Sequence, residues 1–290
     1  MRSVKIFVVA GAASLLSSMA LAADMAIAPP PMSYAPPPSD FGGWYLRGDI
    51  GMTNQQLGSL HTTSIDSVNT NFPGSLQNHG FGFDSSTSFD IGVGYQFNHW
   101  LRADVTGEWR GKANFHGSQS IPAGSAFALA NNNQFGVDNY TGSKSEAVFM
   151  ANAYVDLGTW WCVTPFVGAG IGTSYNRISG FRDDGFTSTA GVLSNSTVYG
   201  DDAGKWNFAW AAYAGLSYQV TQNVAIELAY RYISLGNGTT GTTRDFNGAL
   251  ANGLGDPFVL KNITSNDLKL GVRWNLWSPP AYAPPLITKG

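Results

Sequence analysis

Residues 267–276 alternate strictly. Leu268, Leu270, Val272, Trp274 and Leu276 fall on one face, and Asp267, Lys269, Arg273 and Asn275 on the other. A helix would spread those charges around its circumference, so the period of two specifies a β-strand with one apolar and one charged face. Seven further runs repeat it, at residues 44–53, 86–97, 101–115, 146–157, 163–175, 206–218 and 224–232. Most reach about 10 residues, the length a tilted strand needs to cross a bilayer.

The connections alternate in length. Residues 98–100, 158–162 and 219–223 are tight turns. Residues 55–85, 116–145, 176–205 and 234–264 are long, pattern-poor and rich in Gly, Ser, Thr and Asn. Short turns on one side and long loops on the other predict an all-β fold. It is an eight-stranded antiparallel up-and-down transmembrane β-barrel with short periplasmic turns and four long external loops. Composition separates this from a water-exposed eight-stranded barrel with an apolar interior. Only 12% of residues are charged, too few to solvate an outer wall, while aromatics reach 13%. Beyond the first 22 residues no run of 18 apolar residues exists, so no membrane-spanning helix is expected.

Strand parity turns Arg47, Arg102, Arg110, Lys112, Arg231, Lys269 and Arg273 inward. It does the same for Asp49, Asp90, Asp104, Glu108, Glu146, Asp156, Glu227 and Asp267. An Arg or Lys on the lipid face would cost roughly 2–4 kcal/mol at mid-bilayer. Inside, the nearly balanced charges form a salt-bridge network in a lumen just wide enough for side chains. A plug is favoured over a narrow ion-conducting path. Tryptophans mark two interfacial belts. Trp44, Trp100, Trp160, Trp161, Trp274 and Trp277 fall toward the short turns or the termini, and Trp109 and Trp206 toward the long loops.

The ends carry a different signal. Arg2 and Lys5 precede an apolar stretch closed by Ala20-Leu21-Ala22, which reads as a signal peptide over residues 1–22. Removing its two cations takes the net charge from −3 to −5. A Pro-rich leader (23–41), the barrel (42–277) and a Pro-rich tail (278–290) follow. The string Tyr-Ala-Pro-Pro starts at Tyr34 and again at Tyr282. An even strand count places both tails in the periplasm as stiff spacers. The single cysteine, Cys162, supports neither a lipid anchor after the signal nor a disulfide framework.

Other motifs are weak. Gly168, Gly170 and Gly172 sit at spacing two within a strand, unlike a phosphate loop, and leave room for bulky lumenal neighbours. His61, His79 and His116 lie in or at long loops and could hold haem or a metal at the cell surface, but their spacing fits no site, so no metal and no cofactor is expected, with haemin the alternative. His116 and Ser118, a pair a lipid deacylase would need facing the outer leaflet, point inward by parity, and the chain is read as no enzyme. Asp183, Asp184, Asp201 and Asp202 are solvated acids that could bridge to lipopolysaccharide through divalent cations.

Together with the alternating strands, Ala-Ala-Asp-Met from Ala22, the Pro-rich leader, and Gly42-Gly43-Trp44-Tyr45-Leu46-Arg47-Gly48 opening the first strand carry a resemblance. The chain resembles the small eight-stranded outer-membrane proteins of alphaproteobacteria, the rhizobial and brucella-type surface antigens with an opacity/OmpA-like barrel. Its closing strand is similar to the signal read by barrel-assembly machinery, here Lys269, Gly271, Trp274 and Leu276, though 13 residues follow Trp277 where such signals usually end the chain. The resemblance implies a structural, surface-display role in the cell envelope, with haemin binding in some members. Expected partners are outer-membrane lipid and lipopolysaccharide, the assembly machinery and periplasmic chaperones. Nucleic acid is not among them, and a monomer is expected.

Overall fold

The structure, a computed structural model, describes residues 42–276. Trp277, the signal segment and both Pro-rich tails lie outside the described residues. Eight principal strands follow in order: β1 (Gly43–Gln56), β2 (Ser86–Gln96), β3 (Leu101–Ile121), β4 (Phe135–Asp156), β5 (Val163–Thr189), β6 (Ala203–Gln219), β7 (Val224–Thr239) and β8 (Val259–Asn275). Each pairs antiparallel with its sequence neighbours, and β1 pairs with β8 to close the ring. Closure leaves every strand with two partners through the barrel wall, which lipid requires because it offers backbone groups no hydrogen bonds.

The alternation survives as wall polarity. Phe89, Ile91, Val105, Phe149, Ile171 and Leu268 are exposed on the outside at 53–76%. Between them the charged side chains turn inward and are buried. Aromatic side chains ring the wall twice. Near the short turns Trp44 meets Tyr95 edge-on at 5.4 Å, and Trp100, Trp160, Trp161 and Trp274 are exposed. Toward the long connections Trp206 packs on Tyr175 (5.1 Å) and Phe149 (6.3 Å), with Trp109 exposed there too.

The long connections are more ordered than their sequence suggests. β5 alone runs 27 residues, about 90 Å along its own axis at about 3.4 Å per residue, far beyond the hydrocarbon thickness of about 30 Å. The strands continue past the membrane and enclose a second core of Phe83, Phe115, Tyr140, Phe181, Leu235 and Phe258, each at most 7% exposed. Strands Ser59–His61 and Gln77–Phe83 and helix α1 (Thr63–Asn71) complete this outer cap. The regions predicted as pattern-poor loops therefore contain much strand, and 176–205 is nearly all strand. Their alternation is hidden by register shifts between Arg110 and Ala113, between Thr141 and Ser143, and along 234–238. A one-residue slip moves every later side chain to the opposite face.

Cys162, exposed in the short connection between β4 and β5, gives a test of orientation. In intact cells it should resist a membrane-impermeant maleimide and react after lysis. In a Cys162→Ser background, Leu193→Cys, 64% exposed in the outer hairpin, should react in intact cells.

Candidate functional site: a charged lumen under an apolar cap

The lumenal charges form two tiers. In the tier nearest the short turns, Arg47 reaches Asp49 (2.7 Å) and Asp104 (3.0 Å), and donates to the Tyr154 hydroxyl at 2.9 Å. Arg102 lies between Asp156 and Glu227, each at 3.2 Å, with its guanidinium 4.5 Å from the Tyr154 ring centre and 4.7 Å from that of Phe166. Arg273 joins Glu227 at 2.9 Å.

In the second tier Arg231 bridges Glu108 and Asp267, both at 2.6 Å. Arg110 reaches Asp267 (2.8 Å) and Glu146 (2.7 Å). Lys269 contacts Asp90 and lies 3.3 Å from Glu108. Its 3.9 Å approach to Asp49 joins the tiers. All these side chains are at most 6% exposed. Each ion is removed from water, at a cost of several kcal/mol, which is offset only because every one has counter-ions in contact.

The glycines fit this packing. Added Cβ atoms would strike Tyr154 at Gly168 and Asn152 at Gly170, and the Asp49 carboxylate at Gly271. The Gly of the closing-strand signal thus makes room for the lumenal network, where Lys269 also points. Trp274 and Leu276 face outward, 55% and 54% exposed.

Two sequence expectations fail at the bulge in β3. Parity assigns Lys112 to the lumenal network, but it is exposed and joins no ion pair among the described residues. The register shift after Arg110 turns it outward and brings Ala113 and Phe115 inward instead. The same slip puts His116 on the outside, 3.7 Å from Asp84, not inside as its parity predicted, and leaves Ser118 half-exposed rather than turned fully inward. Lys144 is the residue missed. It is fully buried against Glu146 and donates to Gln55 at 2.8 Å. Its spacing of two from Glu146 was a usable signal, but it preceded the start assigned to that strand.

The acidic pairs are engaged rather than free. Asp184 pairs with Arg182 (2.8 Å), Asp202 with Arg177 (3.3 Å) and Asp201 with Arg244 (3.7 Å). Asp183 instead turns into the cap beside Asp138, beyond the aromatic belt, and its Oδ1 has no hydrogen-bond partner among the described residues. Burial, aided by the Asp138 and Asp184 carboxylates, lifts its pKa from the ordinary 3.8 up to about 8. The folded state therefore holds this proton more tightly than the unfolded chain. The stabilisation is complete below about pH 4 and is lost as the pH rises through about 8. The thermal midpoint of the cap, followed by near-ultraviolet circular dichroism, should fall between about pH 5 and about pH 9. Asp183→Asn should flatten that dependence.

A closed antiparallel ring with an apolar outer wall, aromatic belts and a charged interior is a transmembrane barrel of the outer membrane. The chain belongs to the outer membrane protein beta-barrel domain family, whose profile matches residues 8–275. It is 31% identical over 228 residues to an uncharacterised protein of Brucella suis, covering 76% of this chain and 78% of that one. It is 28% identical over 198 residues to outer membrane protein PagN of Salmonella typhimurium, covering 67% and 75%. Among solved structures it is similar to Neisserial surface protein A, with 18% identity, coverage of 81% and 97%, and a TM-score of 0.41. The alphaproteobacterial resemblance holds. The protein resides in the cell outer membrane, with a role at the envelope surface.

Proposed function

We propose that the protein acts as a sealed, monomeric scaffold that reinforces the outer membrane and presents a rigid folded cap to the outside. The observation that carries this reading is the lumen, filled by buried ion pairs between Arg47, Arg102, Arg110, Arg231, Lys269 and Arg273 and their carboxylates. Small barrels whose interior is filled by side chains serve as walls rather than diffusion pores. The envelope role involves no chemical step, cofactor or nucleic acid. Its partners are lipid and lipopolysaccharide against the belts, the barrel-assembly machinery and periplasmic chaperones. Haemin capture has less behind it: His61 is engaged by Ser59 and Asp66, and His79 bonds Ser120 at 2.8 Å.

A deletion strain should become detergent-sensitive while using haemin as the parent does, and the plasmid-borne gene should restore resistance. Unchanged detergent resistance would remove the structural reading. Lost haemin use would favour the receptor.

A further inference from the structure

The cap holds a cluster that the envelope role leaves unused. Strand Ser59–His61 pairs with Val259–Lys261 at the outer end of β8, and α1 begins directly after Thr62. Alternation places Ser59 and His61 on one face while Leu60, 4% exposed, enters the core. The Thr62 hydroxyl caps the helix by accepting from the Ile65 N–H, and buried Ile65 anchors the first turn. The turn returns Asp66 to His61.

The resulting contacts have a definite order. Asp66 Oδ1 lies 2.6 Å from His61 Nδ1, and Ser59 Oγ lies 2.9 Å from His61 Nε2. A carboxylate can only accept, so Nδ1 carries the proton in the neutral ring. Nε2 is then the free base facing the Ser59 hydroxyl. Hydroxyl, imidazole and carboxylate in this sequence and on these nitrogens form the arrangement that activates a serine nucleophile. All three side chains are accessible: Ser59 and His61 are half-buried and Asp66 is exposed. Lys261, the register partner of Ser59 on β8, shares its face and has no carboxylate within ion-pair distance among the described residues. Its cationic side chain stands on the same sheet face as the serine, the sign of charge that a developing oxyanion would need nearby.

We propose that Ser59, His61 and Asp66 form a surface hydrolytic centre for carboxylic esters. Ser59 Oγ bonds to the ester carbonyl carbon as its proton passes to His61 Nε2. The bond from that carbon to the alcohol oxygen breaks, and the alcohol leaves with the same proton. Water, deprotonated by Nε2, then adds to the acyl-serine, and the carboxylic acid departs as the Ser59 hydroxyl is restored. Asp66 holds the ring and balances the imidazolium. This centre stands apart from the sealed-scaffold reading, and neither depends on the other.

The test uses the full chain refolded in detergent micelles, with folding of every variant checked by heat-modifiable gel mobility. A fluorophosphonate should form an adduct on Ser59, located by peptide mass spectrometry, and p-nitrophenyl butyrate should give a p-nitrophenolate burst. Ser59→Ala should abolish both. His61→Ala and Asp66→Asn should each slow labelling by about 100-fold or more, while Ser64→Ala on the first turn of α1 should label as wild type does. A wild type that labels no faster than Ser59→Ala would overturn the proposal. So would a Ser59 adduct formed at an undiminished rate in folded His61→Ala. Either result would leave the contacts as a clasp between strand and helix.

Discussion

Replacing Arg231 with alanine is expected to destabilise the barrel by about 3–5 kcal/mol, the usual cost of breaking a buried ion pair from one side. Arg231 is 1% exposed and is the bridge between Glu108 and Asp267, which sit on different strands. Its loss leaves two carboxylates short of a counter-charge in a site water does not reach. Arg110 and Lys269 remain as their other cationic partners, each already shared with Glu146 or Asp90. Urea titration in detergent, read by heat-modifiable mobility, gives the number. Glu108→Gln in the same background should recover part of the loss, because it removes one of the two carboxylates left short of counter-charge. A loss under about 1 kcal/mol would mean that the lumenal charges are solvated and the lumen open.

The second large effect lies on the other face of the wall. Ile91 is 76% exposed in β2 and its register partners, Gly48 and Gly107, offer no polar group. Ile91→Arg is expected to cost roughly 2–4 kcal/mol in lipid, the range for a cation near the midplane of a transmembrane barrel. Phe186→Arg provides the contrast. Phe186 is also exposed, at 48%, but it lies in the outer hairpin, where an added Arg should change stability by less than about 0.5 kcal/mol. Equal losses at the two sites would contradict the assignment of which part of the wall faces lipid.

Where alternation is unbroken, sequence and structure agree residue by residue. Leu268, Leu270, Val272, Trp274 and Leu276 face out, and Asp267, Lys269 and Arg273 face in, as their spacing requires. Arg47, Asp49, Arg102, Asp104, Glu108, Arg110, Glu227 and Arg231 are also where parity placed them. Parity counting fails at a bulge, which carries no residue signature of its own. Beyond Arg110 it turned Lys112 inward, and it hid Phe115 from the cap core. The cap was illegible for a related reason. Its strands switch from alternating charge to alternating Gly, Ser and Thr, whose side chains resemble loop composition on either face. The Ser59, His61 and Asp66 cluster needed the fold outright. Ser59 and His61 share a strand face, but Asp66 joins them only through a short helix inside a region assigned to a loop.

The sealed lumen is the claim on which the reading of this barrel rests. Purified protein in planar bilayers, recorded at symmetric high salt, measures it directly. The buried pairs around Arg47, Arg102, Arg231 and Lys269 predict a baseline free of stable openings. Reproducible long-lived openings in the wild type, blocked by nothing but removal of the protein, would show a conducting path through that network and contradict the account.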